Sequence, residues 1–167
     1  MLSNDYVLGL VDGEGSFNVA LSSNKRRSKV VLRFNVKLRH QDQETLYGLQ
    51  RFFGCGKIYI QRDNRKNHSL CYRFEVQSKA DIQKKIIPFF EKNLPKLESR
   101  KRDFLLFKEI SDLSSSPDNL RKIQALKNQM HWGLAVYGKT VRAVGTHQAE
   151  EQDAMPVKST EQGLSED

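Results

Sequence analysis

Asp12 and Glu14 stand two residues apart in the stretch LGLVDGEGSF, residues 8–17. Leu8, Leu10 and Val11 around them form an apolar helical stripe, which Gly9, Gly13 and Gly15 interrupt. A glycine inside a helix costs about 1 kcal/mol against alanine, so the glycines call for a compensating contact. Gly9 and Gly13 are four apart and share one helical face. Small residues at that spacing let two helix backbones approach closely. Glu14 falls at the end of this helix, where the carbonyls lack partners. A carboxylate there opposes the helix dipole unless a cation joins it. Carboxylate and carbonyl oxygens are hard ligands of the kind Mg²⁺ takes. Asp12 has a structural reading instead, as an acid near the turn that accepts backbone N–H groups.

Other chemistries do not fit the same residues. A calcium loop of the EF-hand kind needs glycine at its sixth position and glutamate at its twelfth. Counting from Asp12, those positions hold Phe17 and Ser23. The phosphate-binding patterns GxxxxGK[ST] and GxGxxG are absent. His40, His68, His131 and His147 are scattered, and Cys55 and Cys71 lie sixteen apart with no CxxC. That spacing does not supply the four ligands of structural zinc. The cysteine usage suggests a reducing compartment.

The elements that position Asp12 and Glu14 can be read from periodicity. A helix starts near Asp5, capped by Ser3 or Asn4. After Gly15 the period becomes two: Phe17, Val19 and Leu21 alternate with Ser16, Asn18, Ala20 and Ser22. Residues 23–29, SNKRRSK, read as a loop bearing Lys25, Arg26, Arg27 and Lys29. In the next strand Leu32, Phe34, Val36 and Leu38 point one way, and Arg33, Asn35, Lys37 and Arg39 the other. Asp42 then N-caps a helix through Phe53, which Gly54 ends. A second hairpin places Ile58 and Ile60 opposite Lys57, Tyr59 and Gln61. A basic loop with Arg62, Arg65 and Lys66 follows, then a return strand bearing Arg73 and Glu75. Ser78 and Asp81 open a further helix that Pro88 kinks, another helix spans about 97–112, and Ser116-Pro117 starts the last.

The predicted order is α-β-β-α-β-β-α plus C-terminal helices. This is an α+β fold with a four-stranded antiparallel sheet, apolar under helices on one face and basic on the other. Glu75 is the only acid on the polar face.

The chain has 167 residues and a formal net charge of +8. Six of its acids and one base fall from Gln148 onward, so residues 1–147 carry 27 bases against 14 acids. A body with that excess suits a polyanion, and nucleic acid is the leading candidate. The bases are not confined to one amphipathic helix, and no apolar run is long enough to span a bilayer. Residues 1–147 read as one domain and 148–167 as an acidic, disordered tail. The first residues lack a secretory pattern. An intracellular site is expected: cytoplasm or nucleoid, or an organelle matrix.

VLGLVDGEGSF resembles the signature motif of the LAGLIDADG homing endonucleases, with Gly9, Asp12, Gly13, Glu14 and Gly15 in register. The likeness extends to element order, to length, and to the phrase FFGCGKI at residues 52–58. The resemblance implies a saddle-like sheet laid on double-stranded DNA and hydrolysis of phosphodiesters with Mg²⁺. Glu14 and the Gly13 carbonyl match the family's metal ligands. With a single motif, it implies a homodimer joined through Leu8, Gly9, Asp12 and Gly13 on a near-palindromic target. It also implies a supporting basic residue from ESRKRDF, either Arg100 or Lys101. A polar residue is common in the family where this chain has Leu38, and Gln41 substitutes only if the strand end is bulged. The DNA-contacting set is Asn18, Lys25, Arg26, Arg27, Lys29, Arg33, Asn35, Lys37, Arg39, Lys57, Tyr59, Gln61, Arg62, Arg65, Lys66 and Arg73. The expected function is site-specific cleavage by an intron-encoded enzyme. The alternatives are an intron RNA maturase, with host intron RNA as partner, and a non-cleaving DNA-binding protein.

Overall fold

A computed structural model describes residues 1–24, 27–61 and 70–130. Lys25, Arg26, Arg62, Arg65, Lys66 and the acidic segment 148–167 lie outside the described residues.

Helix α1 spans Asn4–Glu14. The Ser3 hydroxyl accepts the Tyr6 N–H at 3.2 Å, satisfying one of the donors a helix start leaves free. At the other end the Gly15 N–H reaches the Val11 carbonyl and the chain passes directly into strand β1, Gly15–Asn24. A Cβ on Gly15 would stand 2.6 Å from that carbonyl oxygen. Glycine is required here by close approach and not by a left-handed backbone, since φ is −78°.

Strand β2 (Arg27–Arg39), β3 (Lys57–Gln61) and β4 (Cys71–Val76) complete one antiparallel sheet in the order β1-β2-β4-β3. The loop expected over 23–29 is much shorter, because pairing continues to Asn24↔Arg27. Backbone ladder bonds need no apolar side chain, so a polar strand end carries no hydropathy signal. β2 is the spine of the sheet: its start adjoins the first hairpin, and its end pairs with Cys71 at the second. The two hairpins therefore point in opposite directions along the sheet.

The helices cover one face. A 3₁₀ turn, His40–Asp42, leads into α2, Gln43–Phe53. Asp42 occupies the N-cap position as expected but makes no side-chain cap bond. Gly54 ends α2 in the left-handed region at φ 59°, which glycine adopts without strain. Helix α3, Lys79–Asp81, starts where the Ser78 hydroxyl accepts the Asp81 N–H. It runs through a π turn, Ile82–Ile86, into α4, Ile87–Lys92. Pro88 has no N–H to donate. The Ile87 N–H next to it bonds the Ile82 carbonyl, five residues back, so the proline is absorbed as a π turn rather than a break. Helix α5 covers Glu98–Leu113, and α6 covers Leu120–Gln129 after a 3₁₀ turn at Pro117–Asn119.

Sheet and helices meet in a core rich in phenylalanine. The Phe17 ring is fully buried and contacts Phe34 on β2, Phe90 on α4, and Phe104 and Phe107 on α5, with centroids 5.2–5.5 Å apart. One side chain three residues past Glu14 thus ties the first strand to three other elements.

Candidate active site and nucleic-acid interface

Asp12 is fixed by the segment that enters α5. Its Oδ2 accepts the Lys96 N–H at 3.0 Å and its Oδ1 accepts the Leu97 N–H at 3.4 Å. Leu97 is the N-cap of α5 and offers no side-chain cap of its own. The Asp12 carboxylate supplies negative charge at that helix start, where the dipole favours it. The sequence reading of Asp12 as an acceptor of backbone N–H groups matches this geometry. The partners themselves, 84 and 85 residues away, carry no local signal.

Arg100, one turn into α5, donates from Nε to the Asp12 carbonyl at 3.3 Å. Of the two basic candidates, Arg100 is therefore the one joined to the end of α1. Lys101 instead pairs with Glu98 on its own helix at 3.6 Å. The Val11 carbonyl is taken by Gly15 and the Asp12 carbonyl by Arg100. Next along the chain are Gly13 and Glu14, both exposed.

Glu14 stands at a helix end where the Val11 and Asp12 carbonyls are taken, while its own side chain is exposed. Among the described residues, no three His, Cys, Asp or Glu side chains gather into a metal cluster. One carboxylate with a nearby carbonyl suits a hard divalent cation but does not fill the six positions such an ion takes. The donor set fits a divalent cation as part of its coordination shell.

The α1 face opposite the core is open. Nothing lies within 4 Å of where a Cβ would stand on Gly9 or Gly13. Tyr6 is 50% exposed on the same side, and Leu10 is half-buried. Leu8 requires a correction: it packs in the core at 7% exposure. Adjacent helical residues are about 100° apart, so Leu8 turns inward when Gly9 turns out. Asp12 is likewise engaged within the chain. The exposed Leu94 and Leu97, at 39% and 52%, belong to the segment that Asp12 holds, and sequence reading did not single them out.

The polar face of the sheet follows the predicted alternation. Phe17, Leu32, Phe34, Val36, Ile58, Tyr72, Phe74 and Val76 are buried. Asn18, Lys29, Arg33, Asn35, Lys37, Arg39, Lys57, Tyr59, Gln61 and Arg73 occupy the intervening positions. The register sets them in rows across the sheet. Ser16, Asn35, Glu75 and Lys57 form one row; Lys37, Arg73 and Tyr59 form the next; Arg39, Cys71 and Gln61 the third. Arg27 is in β2 by its backbone. Pairing runs unbroken through Leu38↔Tyr72 and Arg39↔Cys71. The strand end is therefore not bulged, and Gln41 lies in the 3₁₀ turn beyond it.

A motif helix with one held acid and one exposed acid at its end, leading into a four-stranded sheet with a basic face, defines the α+β architecture of this chain. A family model described as LAGLIDADG endonuclease matches residues 7–111. The chain belongs to that family. It is 35% identical over 105 residues to probable intron-encoded DNA endonuclease 1 of Mycosarcoma maydis, covering 63% of this chain and 35% of that protein. It is 34% identical over 136 residues to probable intron-encoded endonuclease 3 of Neurospora crassa, covering 76% of this chain and 24% of that protein. The chain thus spans about a quarter to a third of the length of these curated relatives. Among solved structures, the homing endonuclease I-TnaI superposes with a TM-score of 0.68 at 31% identity, covering 79% of this chain and 90% of that one. I-SmaMI bound to cleaved DNA gives a TM-score of 0.70 at 27% identity, covering 79% of this chain and 45% of that one. The α+β fold inferred from periodicity is therefore that of the LAGLIDADG homing endonucleases.

Proposed function

We propose that this chain is a site-specific endonuclease of double-stranded DNA, using a divalent cation, Mg²⁺ in the first instance. The observation that carries the reading is the exposed Glu14 at the end of α1, with Asp12 spent on α5 and Arg100 drawn to the same helix end. The related I-SmaMI has been captured on cleaved DNA and on an uncleaved target in the presence of calcium ions.

A bound divalent cation would polarise the scissile phosphate and lower the pKa of a bound water. The residues of the chain serve the same reaction by position. Glu14 and the Gly13 carbonyl hold the ion, and Arg100 brings positive charge toward the phosphate. The sheet face lies along the duplex: side chains of β2, β3 and β4 meet base edges, and the hairpin bases meet phosphates.

Two such units pair, in this account as a homodimer. The open Gly9 and Gly13 positions, with Tyr6 and Leu10 beside them, support close contact of two α1 helices about a twofold axis. A twofold protein suits a near-palindromic target.

The test is incubation of the purified chain with a randomised duplex library, with Mg²⁺ or with Ca²⁺, and sequencing of newly formed ends. Recurrent ends at one near-palindromic sequence, formed with Mg²⁺, are expected. Enrichment of a sequence by binding with no ends formed in Mg²⁺ would contradict cleavage and leave a DNA-binding role.

A further inference from the structure

Glu75 is out of place on the polar face of the sheet. It is an acid among bases, and it is 8% exposed on the side that the helices do not cover. Its Oε2 stands 3.3 Å from Arg73 Nε, two residues earlier on β4 and on the same face. Across the strands it faces Asn35 on one side and Lys57 on the other. The Arg73 guanidinium also lies over the Tyr59 ring, 5.8 Å from its centroid. A solvated surface pair would be worth little. Here Nε is itself shut off from solvent and has no well-aligned hydrogen bond, while 30% of the Arg73 side chain remains exposed. The accessible part therefore belongs to its other atoms.

A guanidinium has two faces and a fixed fork of donors. Tyr59 takes one face and Glu75 takes the Nε side. The end-on pair, Nη1 and Nη2, is the remaining edge that can meet a ligand with both donors together. In the major groove, guanine offers two acceptors, N7 and O6, at a spacing that suits such a fork. A phosphate contact needs only positive charge, which a solvated lysine supplies without any buttress. An acid placed beside Arg73 weakens attraction to phosphate, so Glu75 is a cost for a backbone contact and a gain only where orientation matters.

From this geometry we propose that Arg73 reads a guanine in each half of the DNA target, and that Glu75 is a positioning residue that sets its direction. The proposal rests on the reading of the chain as a DNA-binding endonuclease. Glu75 does not touch the base. Tyr59 limits rotation of the guanidinium from the other side.

The experiment is binding selection from a randomised duplex library in Ca²⁺, with wild type, Arg73→Lys, Glu75→Gln and Glu75→Asp, each with a thermal unfolding curve. A bidentate base contact discriminates by roughly 5- to 150-fold. Wild type is expected to show a preference of that size for guanine at one position of each half-site. Arg73→Lys should lose it there and keep preferences elsewhere. Glu75→Gln, which keeps size and removes the charge, should relax the same position several-fold. Its affinity for unrelated DNA should hold or rise, and Glu75→Asp should restore part of the preference. A purely structural Glu75 would instead lower the melting temperature and weaken all positions together, and that result overturns the proposal. Unchanged guanine preference in Arg73→Lys overturns it as well. If wild type selects no duplex at all, the DNA reading fails and takes the proposal with it, an outcome distinct from an unchanged base profile.

Discussion

Asp12 and Glu14 are chemically alike, two residues apart on one helix, and the fold gives them opposite tasks. Asp12 faces the entry to α5 and accepts two backbone N–H groups there; Glu14, 200° further round the helix, stays exposed. Asp12→Ala should therefore cost stability, about 1–2 kcal/mol for charge-assisted bonds to an exposed carboxylate, read from urea unfolding. It should leave the Arg100 contact in place, since alanine keeps the backbone carbonyl that accepts it. The sequence was legible up to the task of Asp12 but not to its partners, because a bond across 84 residues leaves no spacing to read. The sequence favours Arg100 over Lys101 only slightly for the same reason: the packing of α5 against α1 is what separates them. Asp81 supplies a pH test at this scale. The Lys85 side chain, then the Ser78 hydroxyl, hold its carboxyl below the usual carboxylate range. A carboxyl with a depressed folded pKa stabilises the protein above its unfolded pKa, and the contribution disappears as pH falls through the folded value. Asp81→Asn should thus be less stable than wild type at neutral pH, with the difference vanishing on acidification in paired thermal melts.

The elements that hold these residues owe their order to a few side chains. Phe17 joins β1 to β2, α4 and α5 through ring contacts, so it fixes the point where the strand leaves Glu14. Phe17→Ala should cost about 3–5 kcal/mol in equilibrium unfolding, and a loss well under that would deny it the central place. The strands, α2, α5 and the alternation of the sheet were legible from the period of their apolar residues. Two features were hidden. Residues 23–24 and 27–29 extend the first hairpin as strand although they read as loop, since pairing of an edge beyond the core is a backbone matter. Pro88 lies just past a π turn, in which the neighbouring Ile87 N–H reaches one residue further back. Leu8 shows the limit of a motif read without its helix phase: it belongs to the apolar stripe and not to the glycine face.

At the scale of the whole molecule, the chain presents an exposed acid at the end of α1, an open glycine face and a basic sheet. The proposed pairing and DNA binding would use all three together. Gly9→Leu places a large side chain where two helices would meet, and it should shift the sedimentation mass from dimer to monomer with little change in melting temperature. An unchanged mass would contradict pairing through α1. The basic face was legible from strand alternation alone, and the open glycine face from the Gly9/Gly13 spacing. The exposed Leu94 and Leu97 were not, since Asp12 holds their segment across 85 residues. The central claim is that the acid at the end of α1 is the cleavage centre. Its most direct test is the Glu14→Gln variant on the target recovered from the library, with Mg²⁺ present. The account predicts native unfolding behaviour, unchanged binding and no strand scission; cutting at the wild-type rate would contradict it.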